Sequence, residues 1–174
     1  MTQLSIAGTV GYILDPDAPA DRDSWCTPKW LTDVLPAVDV DPCSNDRSTV
    51  RSVGRYQLDR GENGLELPWF GLVFVNPPYS DILPWAGKLE QERRRITGCA
   101  FLVNEAHDTR WWKHLVKRGG LRHRLDFDRR IAFTPPPGAA PSGNDRAQTL
   151  LLDDGFLAQC SNDLLCCGTL WSAR

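Results

Sequence analysis

The chain has 174 residues, of which 41% are hydrophobic and 24% charged, with a net charge of −2. That length fits one domain with a full core and makes a second independent domain improbable, and the composition excludes wholesale disorder. Six cysteines without a Cys-x-x-Cys pair, and three scattered histidines (His107, His114, His123), argue against a zinc site or a disulfide framework.

Residues 1–23 hold the acidic, proline-bearing run Asp15-Pro16-Asp17-Ala18-Pro19-Ala20-Asp21 and are expected to be a loose leader, with residues 10–14 a candidate edge strand. The first eleven residues have no basic region and no long apolar run, so neither a signal peptide nor a membrane span is expected. One domain is expected over 24–174. Thr27 before Pro28 predicts a helix start, with Thr27 as the cap, and Pro36 should end that helix. Residues 38–45 read as a short strand running through Asp41-Pro42 into a polar loop. Residues 46–64 are polar, with Arg47, Arg51 and Arg55 interspersed, and turns are marked at Gly61–Gly64 and Pro68–Gly71.

Residues 72–75, Leu-Val-Phe-Val, read as a fully buried parallel strand that stops at Asn76-Pro77-Pro78-Tyr79. Beyond it, Asp81 is expected to cap a helix carrying Ile82, Trp85, Leu89 and Ile96. Residues 99–103 read as a second buried strand, and 108–117 as a helix with Trp111, Trp112 and Leu115. Residues 122–133 look like paired strands or one strand with a bend, and 134–146, rich in Pro and Gly, are a loop. A strand at 149–152, a helix over 155–165 and a strand at 169–171 complete the chain. The alternation predicts an α/β domain with a single Rossmann-like, doubly wound sheet and helices on both faces.

The net charge hides an asymmetry. Residues 1–66 carry 6 Lys+Arg against 11 Asp+Glu, a balance of −5, whereas residues 93–130 carry 11 against 4, a balance of +7. One basic face for a nucleic acid would produce this, with Arg93, Arg94, Arg95, Lys113 and Lys117 as its candidates; an ordinary solvated surface would produce it too.

Chemistry is expected at the proline-bearing tip. Asn76 precedes a proline, so its backbone is held extended, and both prolines fix φ. The result is a stiff polar loop at the carboxyl end of a buried strand, where open α/β sheets bind ligands. An exocyclic amine on a planar ring is a poor nucleophile because its lone pair is delocalised. If its two N–H bonds donate to the Asn76 oxygen and the Pro77 carbonyl, the lone pair can turn toward an electrophilic methyl, while Tyr79 stacks on the ring. Stacking needs the ring and not the hydroxyl, so Tyr79→Phe is expected to be nearly silent. Trp69 and Phe70 either wall such a pocket or belong to the core.

Thr27-Pro28, Asp41-Pro42-Cys43-Ser44-Asn45, Asn63-Gly64-Leu65, Pro68-Trp69 and Asn76-Pro77-Pro78-Tyr79-Ser80, in that order, resemble the bacteriophage DNA N6-adenine methyltransferase family from about residue 24 to residue 171. The resemblance implies S-adenosylmethionine as cofactor, double-stranded DNA as partner and the cytoplasm, a host's if the protein is phage-encoded, as location. It implies that Asn76, Pro77, Pro78 and Tyr79 form the catalytic loop. It also implies that Thr27 and Pro28 meet the methionine part of the cofactor, and that Asp41, with Pro42 and Cys43, ends the first cofactor strand. Asn63 falls where the family usually has an acidic residue for the cofactor's adenine amine; an amide can still accept that bond, without the charge assistance. An amino-methyltransferase of RNA or of a protein glutamine would share Asn-Pro-Pro-Tyr, and a non-catalytic cofactor- or DNA-binding protein is the other alternative.

Overall fold

The structure, a computed structural model, describes residues 24–139 and 146–173. The expected leader at 1–23 with its candidate strand, and part of the Pro/Gly loop, lie outside the described residues.

In chain order the elements are α1 (Lys29–Val34), β1 (Val38–Ser44), β2 (Ser52–Gln57), β3 (Gly71–Val75), α2 (Leu83–Glu92), β4 (Ile96–Asn104), α3 (Arg110–Lys117), β5 (His123–Phe127), β6 (Gln148–Leu152), α4 (Asp154–Leu157), α5 (Asn162–Leu165) and β7 (Gly168–Ser172). All seven strands join one sheet in the order β2-β1-β3-β4-β6-β5-β7. The first four are mutually parallel; β6 runs antiparallel to β4 and β5, and β7 antiparallel to β5. β5 therefore points the same way as β4. Asn76, Asn104, the residues after Phe127 and the start of β6 all lie along one edge of the sheet, the carboxyl edge of the parallel strands.

Both sheet faces are covered. Successive residues of a strand point to opposite sides, and β3 shows it: Val73 and Val75 pack with Trp85, Leu89, Trp112 and Leu115 of α2 and α3. Leu72 and Phe74 pack with Leu31, Phe156 and Leu164 of α1, α4 and α5. The register of β3 on β1 is set by Asp39, whose carboxylate accepts the Leu72 N–H at 2.6 Å. Gly71, at φ 62°, permits that approach, since a Cβ there would stand 2.1 Å from the same carboxylate.

Several local expectations change. Pro28, not Thr27, is the N-cap of α1, and Thr27 stands outside the helix. β2 lies within the stretch expected to be polar loop; as an edge strand it alternates between half-buried and exposed positions from Ser52 to Tyr56, so no apolar run announces it. No α-helix joins β1 to β2 or β2 to β3, so helices alternate with strands only from β3 onward. Asp81 does not cap α2, whose N-cap is Ile82 without a side-chain bond, and Ile96 opens β4 instead of closing that helix. The expected helix over 155–165 is two, because Asp153 accepts from Phe156 N and Ser161 from Leu164 N, each starting its own turn. After β5 the chain leaves the sheet, and Thr134 makes only an isolated bridge to Cys26. No described helix is long and apolar enough to cross a membrane.

Candidate active site

The strand order turns back on itself at β1: the chain steps outward to β2 and returns to β3 on the other side. Connections then leave the carboxyl ends of β1 and β3 in opposite directions, which opens a crevice between them. Trp25, Thr27, Asp41, Cys43, Ser48 and Asn76 are among the residues that line it.

Asp41 is buried at the floor. Its Oδ1 accepts the Cys43 backbone N–H at 3.2 Å and its Oδ2 the Ser48 hydroxyl at 3.2 Å. Burial pushes this carboxyl up to about 6, and the Cys43 and Ser48 hydrogen bonds offset only part of that. The Cys43 thiol is driven well above its ordinary range by burial and by the neighbouring Asp41, so it is a neutral wall and not a thiolate nucleophile. The Trp25 indole N–H is buried without a partner among the described residues.

Asn76 Nδ2 donates to Thr27 Oγ1 at 3.2 Å. Thr27, assigned from sequence to the cofactor, therefore orients the carboxamide of the expected catalytic loop. The Asn76 oxygen has no hydrogen-bond partner among the described residues. Tyr79 is anchored at both ends: its hydroxyl donates to the Leu102 carbonyl at 3.2 Å, and its ring meets Phe133 edge-on at 5.8 Å between centroids. Burial raises the phenol, so that hydroxyl stays a donor at any working pH. The expectation that Tyr79→Phe is nearly silent is accordingly revised. The substitution should cost about 0.5–1.5 kcal/mol in chemical unfolding, the worth of one hydrogen bond, and loosen the loop enough to lower turnover measurably. Tyr79→Ala should cost more in both measurements.

Asn63 closes its own turn, its Oδ1 accepting Leu65 N at 3.0 Å and its Nδ2 donating to Glu66 Oε1 at 2.9 Å. Gly64 presses this turn against the end of β1: a Cβ at that position would stand 2.0 Å from the Pro42 carbonyl oxygen. Asn63 thus sits close to Asp41-Pro42 in the fold. Trp69 belongs to the core, fully buried, donating to the Gly64 carbonyl at 2.8 Å and stacked on Trp85. Phe70 is exposed over Gly54 on β2.

The basic candidates are not brought together. Arg93, Arg94 and Arg95 immediately precede β4, at the edge opposite Asn76. Arg93 NH1 lies 2.5 Å from the carboxylate of Asp153, a buried residue that also accepts Cys99 N. Arg95 pairs with Glu92 at 3.4 Å. Lys117 ends α3 toward that same far edge. Lys113 alone of the five reaches back toward the site, its Nζ donating to the Asp108 carbonyl at 2.7 Å. The carboxyl edge carries other cations: Arg110 opens α3, and Arg129 and Arg130 follow β5, with the Arg129 guanidinium 3.9 Å from the centre of the Trp30 ring. Sequence reasoning passes over these, together with Phe133 and Trp25, because only strand order reveals which edge a residue occupies.

A crevice at the turning point of a parallel sheet, with an acidic strand end on one wall and an Asn-Pro-Pro loop on the other, lies where open α/β sheets bind their ligands. Residues 17–162 match the family model described as DNA N-6-adenine-methyltransferase (Dam), and the chain belongs to that family. It is therefore an enzyme that methylates adenine N6 in DNA. No curated protein and no solved structure matches the chain.

Proposed function

We propose that the methyl donor is S-adenosylmethionine, held in the crevice between β1 and β3, and that the Asn76-Pro77-Pro78-Tyr79 loop receives an adenine flipped out of double-stranded DNA. The single observation that carries this reading is the pairing of Thr27 with Asn76 across the mouth of that crevice. It supports the reading because it joins the proposed amine holder to a residue that lines the proposed donor site. The switch in strand order at β1 supports a Rossmann-like, doubly wound reading of the sheet, in which no α-helix joins β1 to β2 or β2 to β3.

The residues present suit the cofactor. The buried carboxylate of Asp41 can accept from its hydroxyl or ammonium groups, and the unpartnered indole N–H of Trp25 offers a donor. The crevice is much smaller than the roughly 300–1,000 Å³ of sites that take drug-sized ligands. Part of the cofactor therefore extends along the Asn63-Gly64 turn that abuts Pro42. The bound cofactor supplies an electrophilic methyl on a sulfonium.

The chain's own residues do the rest. The Asn76 oxygen and the Pro77 carbonyl accept the two N–H bonds of the target amine, which frees its lone pair to face the methyl. Tyr79, braced by Leu102 and Phe133, supports the extruded base, whose unstacking costs a few kcal/mol. No strong base is required, because the leaving group departs as a neutral thioether; neutral Asn76 would not serve as one, and the proton passes to water. DNA is held along the carboxyl edge by Arg110, Lys113, Arg129 and Arg130, in the cytoplasm.

Cofactor binding should follow the ionisation of Asp41. If the carboxylate is the binding form, affinity is full above a pH of about 6 and falls about tenfold per unit below it, since protonation at the raised pKa removes the acceptor. In the free protein the sign is opposite. The raised pKa stabilises the fold below the ordinary value of 3.8, and this contribution is lost as pH rises through about 6. Calorimetric titration between pH 5 and 8 checks the first statement, and Asp41→Asn should bind weakly at every pH. Undiminished, pH-independent affinity in a folded Asp41→Asn would place the cofactor elsewhere.

A further inference from the structure

β4 outruns its neighbour. Its register pairs Val75, the last residue of β3, with Phe101, so Leu102, Val103 and Asn104 run on beside the Asn76–Tyr79 loop. The Tyr79 hydroxyl on the Leu102 carbonyl ties the loop to this extension. Phe74 and Leu102 share one core cluster, and Asn76 and Asn104 each lie two residues further along, so both carboxamides belong to the same face of the sheet.

Asn104 is held in one orientation. Its Oδ1 accepts Gln148 Nε2 at 2.9 Å, and Gln148 is itself buried with both ends of its amide engaged. The same Nε2 donates to the Arg146 carbonyl at 2.8 Å, and the Gln148 oxygen accepts Ile131 N at 3.4 Å. A glutamine held this way does not turn, so the Asn104 oxygen is fixed too. Its Nδ2 then points away from Gln148, with no protein partner among the described residues, and the residue is half-buried. This is a fixed N–H donor on the substrate side of the sheet.

Asn76 and Pro77 supply acceptors only, so they recognise an exocyclic amine, and cytosine carries one as well. We propose that Asn104 contacts the target base, its Nδ2 donating to a ring nitrogen flanking the amine of the target adenine, N1 or N7. Either nitrogen is an acceptor in adenine. A donor meeting N7 also rejects cytosine, which presents C–H at the corresponding position. The inference rests on Asn76 as the holder of the amine.

The experiment is single-turnover methylation of duplexes carrying adenine, 1-deazaadenine or 7-deazaadenine at a mapped target site. It compares wild type with Asn104→Asp, which keeps an acceptor for Gln148 but loses the donor, and with Asn104→Ala. In wild type one of the two deaza substitutions should slow the reaction about 10- to 100-fold, the range of a good base contact. Both Asn104 variants should be slowed on adenine by a similar factor and show no further loss on that same deaza substrate, at unchanged cofactor affinity. Equal losses in wild type and variants, or no loss with either analogue, overturn the proposal. Should Asn104→Ala fail to fold, Asn104→Asp gives the same comparison. Asn76→Ala, run alongside, should be slow on all three substrates. If it is fully active the amine-holding loop is misassigned, a failure distinct from any result at Asn104.

Discussion

Asn76→Ala should lower methyl transfer by about 10²–10³, equivalent to about 2.7–4 kcal/mol, the range for removing one preorganised partner of charge that develops in a transition state. The comparison is apt because the target amine becomes acidic only as the new C–N bond forms, so its hydrogen bonds to the loop strengthen then. Pro77 and Pro78 remain in place, and the loop keeps its path. The loss should appear in kcat more than in cofactor affinity, because Asp41 and Trp25 are untouched. Asn76→Asp should retain far more activity than Asn76→Ala. A carboxylate keeps the acceptor, and the Thr27 hydroxyl, which accepts from Asn76 Nδ2 at 3.2 Å, can turn and donate instead. The measurement is N6-methyladenine formed per enzyme, by mass spectrometry of digested DNA. Wild-type activity in Asn76→Ala would remove this loop from the chemistry.

Arg93→Ala should act on stability and leave DNA binding alone. The guanidinium is the counter-ion of Asp153, and Asp153 also accepts Cys99 N at 3.0 Å and Phe156 N at 2.8 Å, tying β4 to α4. Removing one partner leaves a charge stranded in the interior, which costs about 3–5 kcal/mol for a fully buried pair. With the Arg93 side chain 32% exposed, the low end, about 3 kcal/mol, is expected in chemical unfolding. Its exposed neighbour provides the control, since Arg94→Ala should change stability by no more than about 0.5 kcal/mol. The salt dependence of DNA binding should be the same in both variants and wild type. It should flatten when Arg110→Ala and Arg129→Ala are combined, by about one unit of slope for each phosphate those side chains neutralise. A flattened slope in a folded Arg93→Ala would return the DNA face to the far edge.

Much of the candidate site's local structure can be read from the chain. Leu72–Val75 followed by Asn76-Pro77-Pro78 is buried strand and rigid tip within a few residues, and both properties come from side-chain hydrophobicity and ring constraints on φ. Asp41-Pro42 at the end of β1 and the Asn63-Gly64 turn are likewise legible. Charge pattern does not say where a run lies in the fold. The Arg93–Arg95 run is continuous in sequence, but α2 carries the chain back across the sheet before it begins, so the run emerges at the edge opposite Asn76. β2 escapes notice because an edge strand has one open side and needs no apolar run.

What the sequence by itself determined is an Asn-Pro-Pro-Tyr loop on a buried strand, an acidic strand end, and a family whose members methylate adenine N6 in DNA. Only the tertiary structure decided who touches whom. Thr27 became the partner of Asn76, Leu102 and Phe133 the braces of Tyr79, and Gln148 the clamp on Asn104. These pairs join residues far apart in the chain, and such a pairing depends on strand order and register. Hydrophobic periodicity specifies that a segment is a strand and which face it buries, and carries no information about its neighbour.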